Sequence, residues 1–148
     1  MSTFADSSAL VKLYADEERC ELIRRLGDLA AAQVARVEVP AAIWRKHRLG
    51  ELDASDAQVL TAEFEADWFG SGTETPRFAA VRLVPGILDE AARLCAGRGL
   101  RAYDAVQLAS ALAARRADDE CTGFAAFDAR LRQAAATEGF ALVPSEDR

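Results

Sequence analysis

An acidic residue inside an apolar helical stripe is the first sign of chemistry in this sequence. Asp104 is followed at i+4 by Leu108, which shares its predicted helix face. An unpaired buried carboxylate is strongly unfavourable, so this position requires a cation, a hydrogen-bond donor or a helix N-terminus beside it. Three further acids have similarly apolar neighbours: Asp6, Glu38 and Asp128.

Several carboxylates in one pocket repel each other and raise one another's pKa unless a cation neutralises them. Mg²⁺ or Mn²⁺ suits such a set, because hard cations prefer oxygen ligands and all four side chains supply only oxygen. An ion held in this way can polarise a phosphodiester and deprotonate a bound water. The four acids therefore predict metal-assisted phosphodiester hydrolysis.

The same acids have a structural alternative. Asp6, Asp104 and Asp128 each lie where a helix N-cap or first turn is predicted, and acids are favoured there by capping hydrogen bonds and by the helix dipole. Any one of them taken alone fits a cap better than a metal ligand. Glu38 lies between Val37 and Val39 and is hard to explain as a cap. The four together therefore favour a site.

Other reaction classes have little support in the sequence. His47 is the only histidine, it lies in a polar helical stretch, and there is no Gly-x-Ser-x-Gly motif. Cys20, Cys95 and Cys121 are odd in number and far apart, which suggests neither a disulfide framework nor a zinc site.

Strand-like and helix-like segments alternate along the chain, which predicts a parallel sheet covered by helices. The predicted strands are 3–5, 31–34, 79–84, 121–127 and 140–143. The predicted helices are 8–14, 16–29, 38–49, one that begins at a Ser55-x-x-Gln58 capping box, 87–96, one around Asp104, and 129–136. Asp6 and Asp128 then follow strands, whereas Glu38 and Asp104 lie near the starts of helices. In parallel α/β sheets that edge binds ligands.

Composition limits the class of protein. The 148 residues, 51% of them apolar, fit one globular domain. No uncharged apolar run approaches the ~18 residues of a membrane span, and the first residues do not resemble a signal peptide, so we expect a cytoplasmic protein with no membrane segment. A net charge of −6 argues against a surface adapted throughout to nucleic acid, but it leaves room for a local arginine-lined site.

Four segments, in this order along the chain, resemble the PIN domain of bacterial VapC-like toxins. They are Asp6-Ser7-Ser8-Ala9-Leu10-Val11-Lys12-Leu13-Tyr14, Arg36-Val37-Glu38-Val39-Pro40-Ala41-Ala42, Arg101-Ala102-Tyr103-Asp104-Ala105-Val106-Gln107-Leu108-Ala109 and Phe127-Asp128-Ala129-Arg130-Leu131. The resemblance implies a single PIN domain over 1–148, an α/β fold with three α/β/α layers and a central, mainly parallel sheet of about five strands. It also implies a Mg²⁺-dependent endoribonuclease, with Mn²⁺ as the alternative ion, which is the toxin of a toxin-antitoxin pair, forms a homodimer and binds a VapB-like antitoxin.

Carried over by position, the resemblance makes Asp6, Glu38, Asp104 and Asp128 the acidic cluster that holds the metal and orients the water. Ser8 supports the first of these acids or, alternatively, caps the helix. Ala126 departs from the pattern, because many relatives have Ser or Thr two residues before the fourth acid. Arg101, three residues before Asp104 at a helix start, is the basic residue that we expect to bind an RNA phosphate.

Two other interpretations use the same residues. A non-catalytic PIN-fold protein-binding module would use the acids as helix caps or as contacts for a partner's arginines. A phosphoryl-transfer receiver or phosphatase also places an Asp after the first strand. Receivers, however, require a lysine late in the chain, and none follows Lys46.

Overall fold

A computed structural model describes residues 1–145 and contains one parallel sheet with helices on both faces. Its strands are β1 (Ser2–Ala5), β2 (Leu29–Ala32), β3 (Phe78–Val81), β4 (Cys121–Ala125) and β5 (Ala141–Val143). Its helices are α1 (Ser7–Val11), α2 (Cys20–Arg24), α3 (Ala35–Arg48), α4 (Ala54–Phe69), α5 (Pro85–Arg98), α6 (Ala102–Ala117) and α7 (Ala129–Thr137). None of these helices combines the length and apolar character needed to cross a membrane.

The strand order is β3-β2-β1-β4-β5, and every neighbouring pair is parallel. From β1 the chain builds the sheet outward through β2 and β3, and then returns to place β4 and β5 on the other side. The order therefore reverses between β1 and β4, where the connections leave a crevice at the carboxyl ends of the strands. Asp6 directly follows β1, and Asp128 lies three residues after the end of β4.

Alternating side chains of the strands fill two apolar layers. Phe4 of β1 packs with Leu108 of α6 and Leu131 of α7 on one face of the sheet. Ala5, the next residue, points to the opposite face, where Ile43 of α3 and Phe64 of α4 are fully buried. The predicted α/β fold with three layers and a parallel sheet of about five strands is confirmed.

Two local predictions are wrong. The helix predicted over 16–29 is only α2, and Leu29 instead begins β2, where it pairs with Thr3 of β1. Pairing with the central strand therefore decides the structure of a segment whose own pattern also fits a helix. The Ser55 capping box is not used either, because Asp53 is the N-cap of α4 and its Oδ1 accepts a hydrogen bond of 2.7 Å from the Asp56 amide.

Candidate active site

Asp6 lies at the carboxyl end of the central strand, because it joins β1 to α1. It is the N-cap of α1, and its Oδ1 accepts hydrogen bonds from the Ala9 amide at 2.9 Å and from the Ser8 hydroxyl at 2.7 Å. Its backbone amide donates to the Ala125 carbonyl at the end of β4, which fixes it against the neighbouring strand. Only 5% of the residue is exposed to solvent. Asp6 is therefore a buried carboxylate held rigidly by local donors.

The electrostatics of Asp6 show that acids converge on it. Burial raises the pKa of its carboxyl group from the usual 3.8 to about 6, although the hydrogen bonds from Ser8 and Ala9 act in the opposite direction. The negative charges of Asp104 and Glu38 raise this pKa further. Glu38 and Asp104, which are 32 and 98 positions away along the chain, thus lie close enough to repel Asp6.

Glu38 is held by a hydrogen-bond network that the sequence analysis missed. Its Oε1 accepts hydrogen bonds from the Ser7 hydroxyl at 2.7 Å and from the Gln107 side-chain amide at 2.8 Å. The same Gln107 Nε2 also donates to Ser7 Oγ at 2.9 Å. The signal that could have revealed Gln107 is a polar residue one turn after Asp104 in an otherwise apolar stripe. It is 3% exposed.

Arg101 connects the other two acids. Its Nε and Nη2 donate to Asp104 Oδ2 at 3.2 and 3.1 Å, and Nη2 lies 3.7 Å from Asp128 Oδ1. Asp128 is also the N-cap of α7, with Oδ2 accepting from the Leu131 amide at 3.0 Å. The Arg101 side chain is 76% exposed, whereas that of Asp104 is 21% exposed. An exposed cation therefore pairs with two acids at the rim of the crevice.

The donor set fits a hard divalent cation, although the acids do not form a ready-made ligand set. Within residues 1–145, no three Asp, Glu, His or Cys side chains are grouped closely enough to hold a metal ion. Asp6, Glu38 and Asp104 nevertheless supply only oxygen, and among residues 1–145 no basic side chain offsets the repulsion that raises the pKa of Asp6. In addition, Gln107 Oε1 is buried and has no hydrogen-bond partner among the described residues. This chemistry is the one that Mg²⁺ or Mn²⁺ complements.

Beside the acids, an open hollow of about 550 Å³ is lined by Arg101, Asp128, Arg130 and Gln133. The two arginines give it the donors that a phosphate group needs. Ser8 makes the hydrogen bond to Asp6 described above, while Ala126 is fully buried and brings no hydroxyl to this strand end.

Comparisons with known proteins point to one group of relatives. Ribonuclease VapC45 of Mycobacterium tuberculosis (strain CDC 1551 / Oshkosh) is 33% identical over 152 aligned residues, which cover 97% of this chain and 95% of the relative. Ribonuclease VapC49 of M. tuberculosis (strain ATCC 25618 / H37Rv) matches with the same identity and coverage. A chain in a toxin-antitoxin complex from Klebsiella pneumoniae has the same fold, with a TM-score of 0.54, 15% identity, and 85% of this chain and 86% of that one covered. No protein-family model matches the chain.

Proposed function

Because this chain belongs to the VapC family of PIN-domain ribonuclease toxins, we propose that it is a divalent-cation-dependent endoribonuclease and the toxin of a toxin-antitoxin pair. The observation that carries the catalytic part of this proposal is that three acids converge: Ser7, which follows Asp6, donates to Glu38, and Gln107, one turn after Asp104, donates to both. Folding brings these charges together at the sheet edge where α/β proteins bind ligands, and a cation relieves the repulsion.

Asp6, Glu38 and Asp104 would hold the ion, and Asp128 would complete the cluster from the rim. A bound Mg²⁺, or Mn²⁺ in its place, polarises the scissile phosphodiester and acidifies an attacking water. Asp6 and Glu38 are already oriented by protein donors. Ser8 keeps Asp6 in its capping rotamer. Arg101 binds the substrate phosphate next to the acids, since it is the basic side chain that contacts two of them.

The same family membership supports a partner and an assembly. We assign to this chain a VapB-like antitoxin as partner, RNA as substrate and a homodimer as assembly, with a single PIN domain over residues 1–148. The similarity to a chain in a toxin-antitoxin complex supports the antitoxin through the shared fold. An acidic cluster with an exposed arginine at its rim would suit a partner segment that carries its own arginines.

A non-catalytic binding module with the same fold is the second candidate. Two observations favour it: Asp6 and Asp128 both cap helices, and Arg101 already pairs with two acids. In this case the acids would need no cation, and RNA would not be cleaved.

The substitution Asp6→Asn separates the two candidates, because Asn caps a helix about as well as Asp but is a poor ligand for Mg²⁺. We expect the wild-type protein to cleave a long single-stranded RNA in Mg²⁺ and not in EDTA. We expect Asp6→Asn to remain folded and to lose more than about 100-fold in rate, beyond the range seen for outer-shell changes.

Asp53→Asn is the matched control, since Asp53 caps α4 through the same type of hydrogen bond and is exposed away from the acids. This variant should cleave RNA like the wild type. Normal cleavage by Asp6→Asn would refute a metal role for Asp6. A wild-type protein inactive with every divalent ion would instead support the binding module.

A further inference from the structure

The network around Glu38 has an arrangement that a purely structural role does not require. Ser7 Oγ and Gln107 Nε2 both donate to Glu38 Oε1, at 2.7 and 2.8 Å, and Gln107 Nε2 also donates to Ser7 Oγ at 2.9 Å. Both donors thus converge on one oxygen of the carboxylate. No hydrogen bond from the described residues reaches Glu38 Oε2.

The orientation of the Gln107 amide is set by this carboxylate. Gln107 Oε1 is buried without a partner among residues 1–145, which is unfavourable for a carbonyl oxygen. Rotating the amide by half a turn would place that oxygen against Glu38 Oε1, so two acceptors would face each other. The charge-assisted hydrogen bond to Glu38 therefore holds the amide in an orientation that leaves its own oxygen unsatisfied.

The elements that carry the network lie far apart in the chain and on different layers. Glu38 lies in the first turn of α3, which packs on one face of the sheet, while Gln107 belongs to α6 on the other face. Ser7 is the first residue of α1 and directly follows Asp6. The network therefore ties the positions of Asp6, Glu38 and the α6 helix of Asp104 to one another.

Resting on the proposed function, we infer that Gln107 and Ser7 are positioning residues that saturate Glu38 Oε1 and leave Oε2 as the oxygen available to the divalent cation. They act through Glu38 and do not themselves bind the ion. Partners of metal ligands typically change metal affinity or activity by about 10-fold to 100-fold when they are removed.

The test is calorimetric titration of Mn²⁺ into RNA-free protein, a readout that does not depend on cleavage. Gln107→Leu keeps the approximate volume of the side chain and removes both donors. We expect it to raise the Kd for Mn²⁺ by about 10-fold to 100-fold. RNA cleavage should require correspondingly more Mn²⁺ but approach the wild-type kcat at saturation, because the carboxylate is displaced and not removed. Gln58→Leu, the same change at an exposed position of α4, should leave the Kd unchanged.

Ser7 provides a second pair of variants in case Gln107→Leu does not fold. Ser7→Ala should raise the Kd, whereas Ser7→Thr, which keeps the hydroxyl, should restore it. Urea unfolding in EDTA shows whether each variant is folded. Equal Mn²⁺ affinity in the wild type, Gln107→Leu and Ser7→Ala would overturn the positioning role while the proposed nuclease stands. A wild-type protein that binds no Mn²⁺ would overturn the positioning role together with the metal-dependent function.

Discussion

Asp6→Asn is expected to stabilise the metal-free protein at neutral pH, although we expect the same change to abolish cleavage. Burial, together with repulsion from Asp104 and Glu38, raises the pKa of Asp6 from 3.8 to about 6. The folded protein therefore binds this proton more tightly than the unfolded chain, and the free energy of unfolding falls as pH rises between these two values. At ~1.4 kcal/mol per pH unit, the loss reaches about 3 kcal/mol above pH 6.

The substituted protein does not suffer this loss, because Asn does not ionise and its carbonyl oxygen can still cap α1. Relative to the wild type, its free energy of unfolding should be nearly unchanged near pH 4 and higher by about 3 kcal/mol near pH 7.5. Urea unfolding in EDTA at a series of pH values measures this difference. Trp44 of α3 and Trp68 of α4, which pack against the apolar core that contains Ile43 and Phe64, supply the fluorescence signal.

Two controls make the result specific to the acidic cluster. Asp53→Asn changes an exposed helix cap and should not reproduce the rise between pH 4 and pH 7.5. At pH 7.5, adding Mg²⁺ should stabilise the wild type but not Asp6→Asn, because only the former keeps the ligand. A stability difference that is constant with pH, or that disfavours Asp6→Asn at pH 7.5, would refute the reasoning.

The acids at the rim give two further predictions. Arg101→Ala should increase the affinity for Mn²⁺ by up to about fivefold, since the exposed ion pairs that it removes contribute about 1 kcal/mol or less. The same variant should bind RNA more weakly in a filter assay. Weaker Mn²⁺ binding would contradict this prediction. Asp128→Asn should fold normally, because the hydrogen bond that caps α7 at Leu131 is retained. It should reduce the cleavage rate less than Asp6→Asn does, because the Asp128 side chain is 42% exposed, whereas Asp6 is buried. An equal or larger loss in a side-by-side rate comparison would contradict that order.

The fold could be predicted from the sequence because its main determinants are local. The alternating segments indicate a parallel sheet, and a strand followed directly by Asp6 and a helix indicates the edge where the acids should meet. The predictions fail where a long-range contact decides between two local options. Leu29 fits the end of a helix until its pairing with Thr3 is known. The cap of α4 is a different case, because Asp53 and Ser55 are both local candidates and the structure uses Asp53.

In the candidate site, too, local contacts could be predicted from the sequence and long-range contacts could not. The ion pair between Arg101 and Asp104 follows from their i,i+3 spacing on one helix, but its extension to Asp128 depends on where α7 begins. The contact between Gln107 and Glu38 joins residues 69 positions apart, on helices that pack on opposite faces of the sheet. Neither the helical period nor the spacing of the motifs could have predicted a contact at that separation along the chain. The contact depends on the tertiary fold, which brings the N-terminal turns of α3 and α6 together.

Capping and metal binding were alternatives for these acids in the sequence, and in the structure capping uses only one oxygen of each capping carboxylate. Asp6 caps α1 through Oδ1, and no hydrogen bond from the described residues reaches its Oδ2. Asp128 caps α7 through Oδ2 and turns Oδ1 toward Arg101. Glu38 repeats the pattern without being a cap, since Ser7 and Gln107 occupy only Oε1. In Asp6 and Glu38 one oxygen is hydrogen-bonded by the protein and the other receives no hydrogen bond from residues 1–145, so the donors that hold the first oxygen would also orient the proposed metal ligand. Asp6→Asn is informative for this reason, because it preserves an acceptor for the cap and puts an amide hydrogen where the second oxygen would meet a cation.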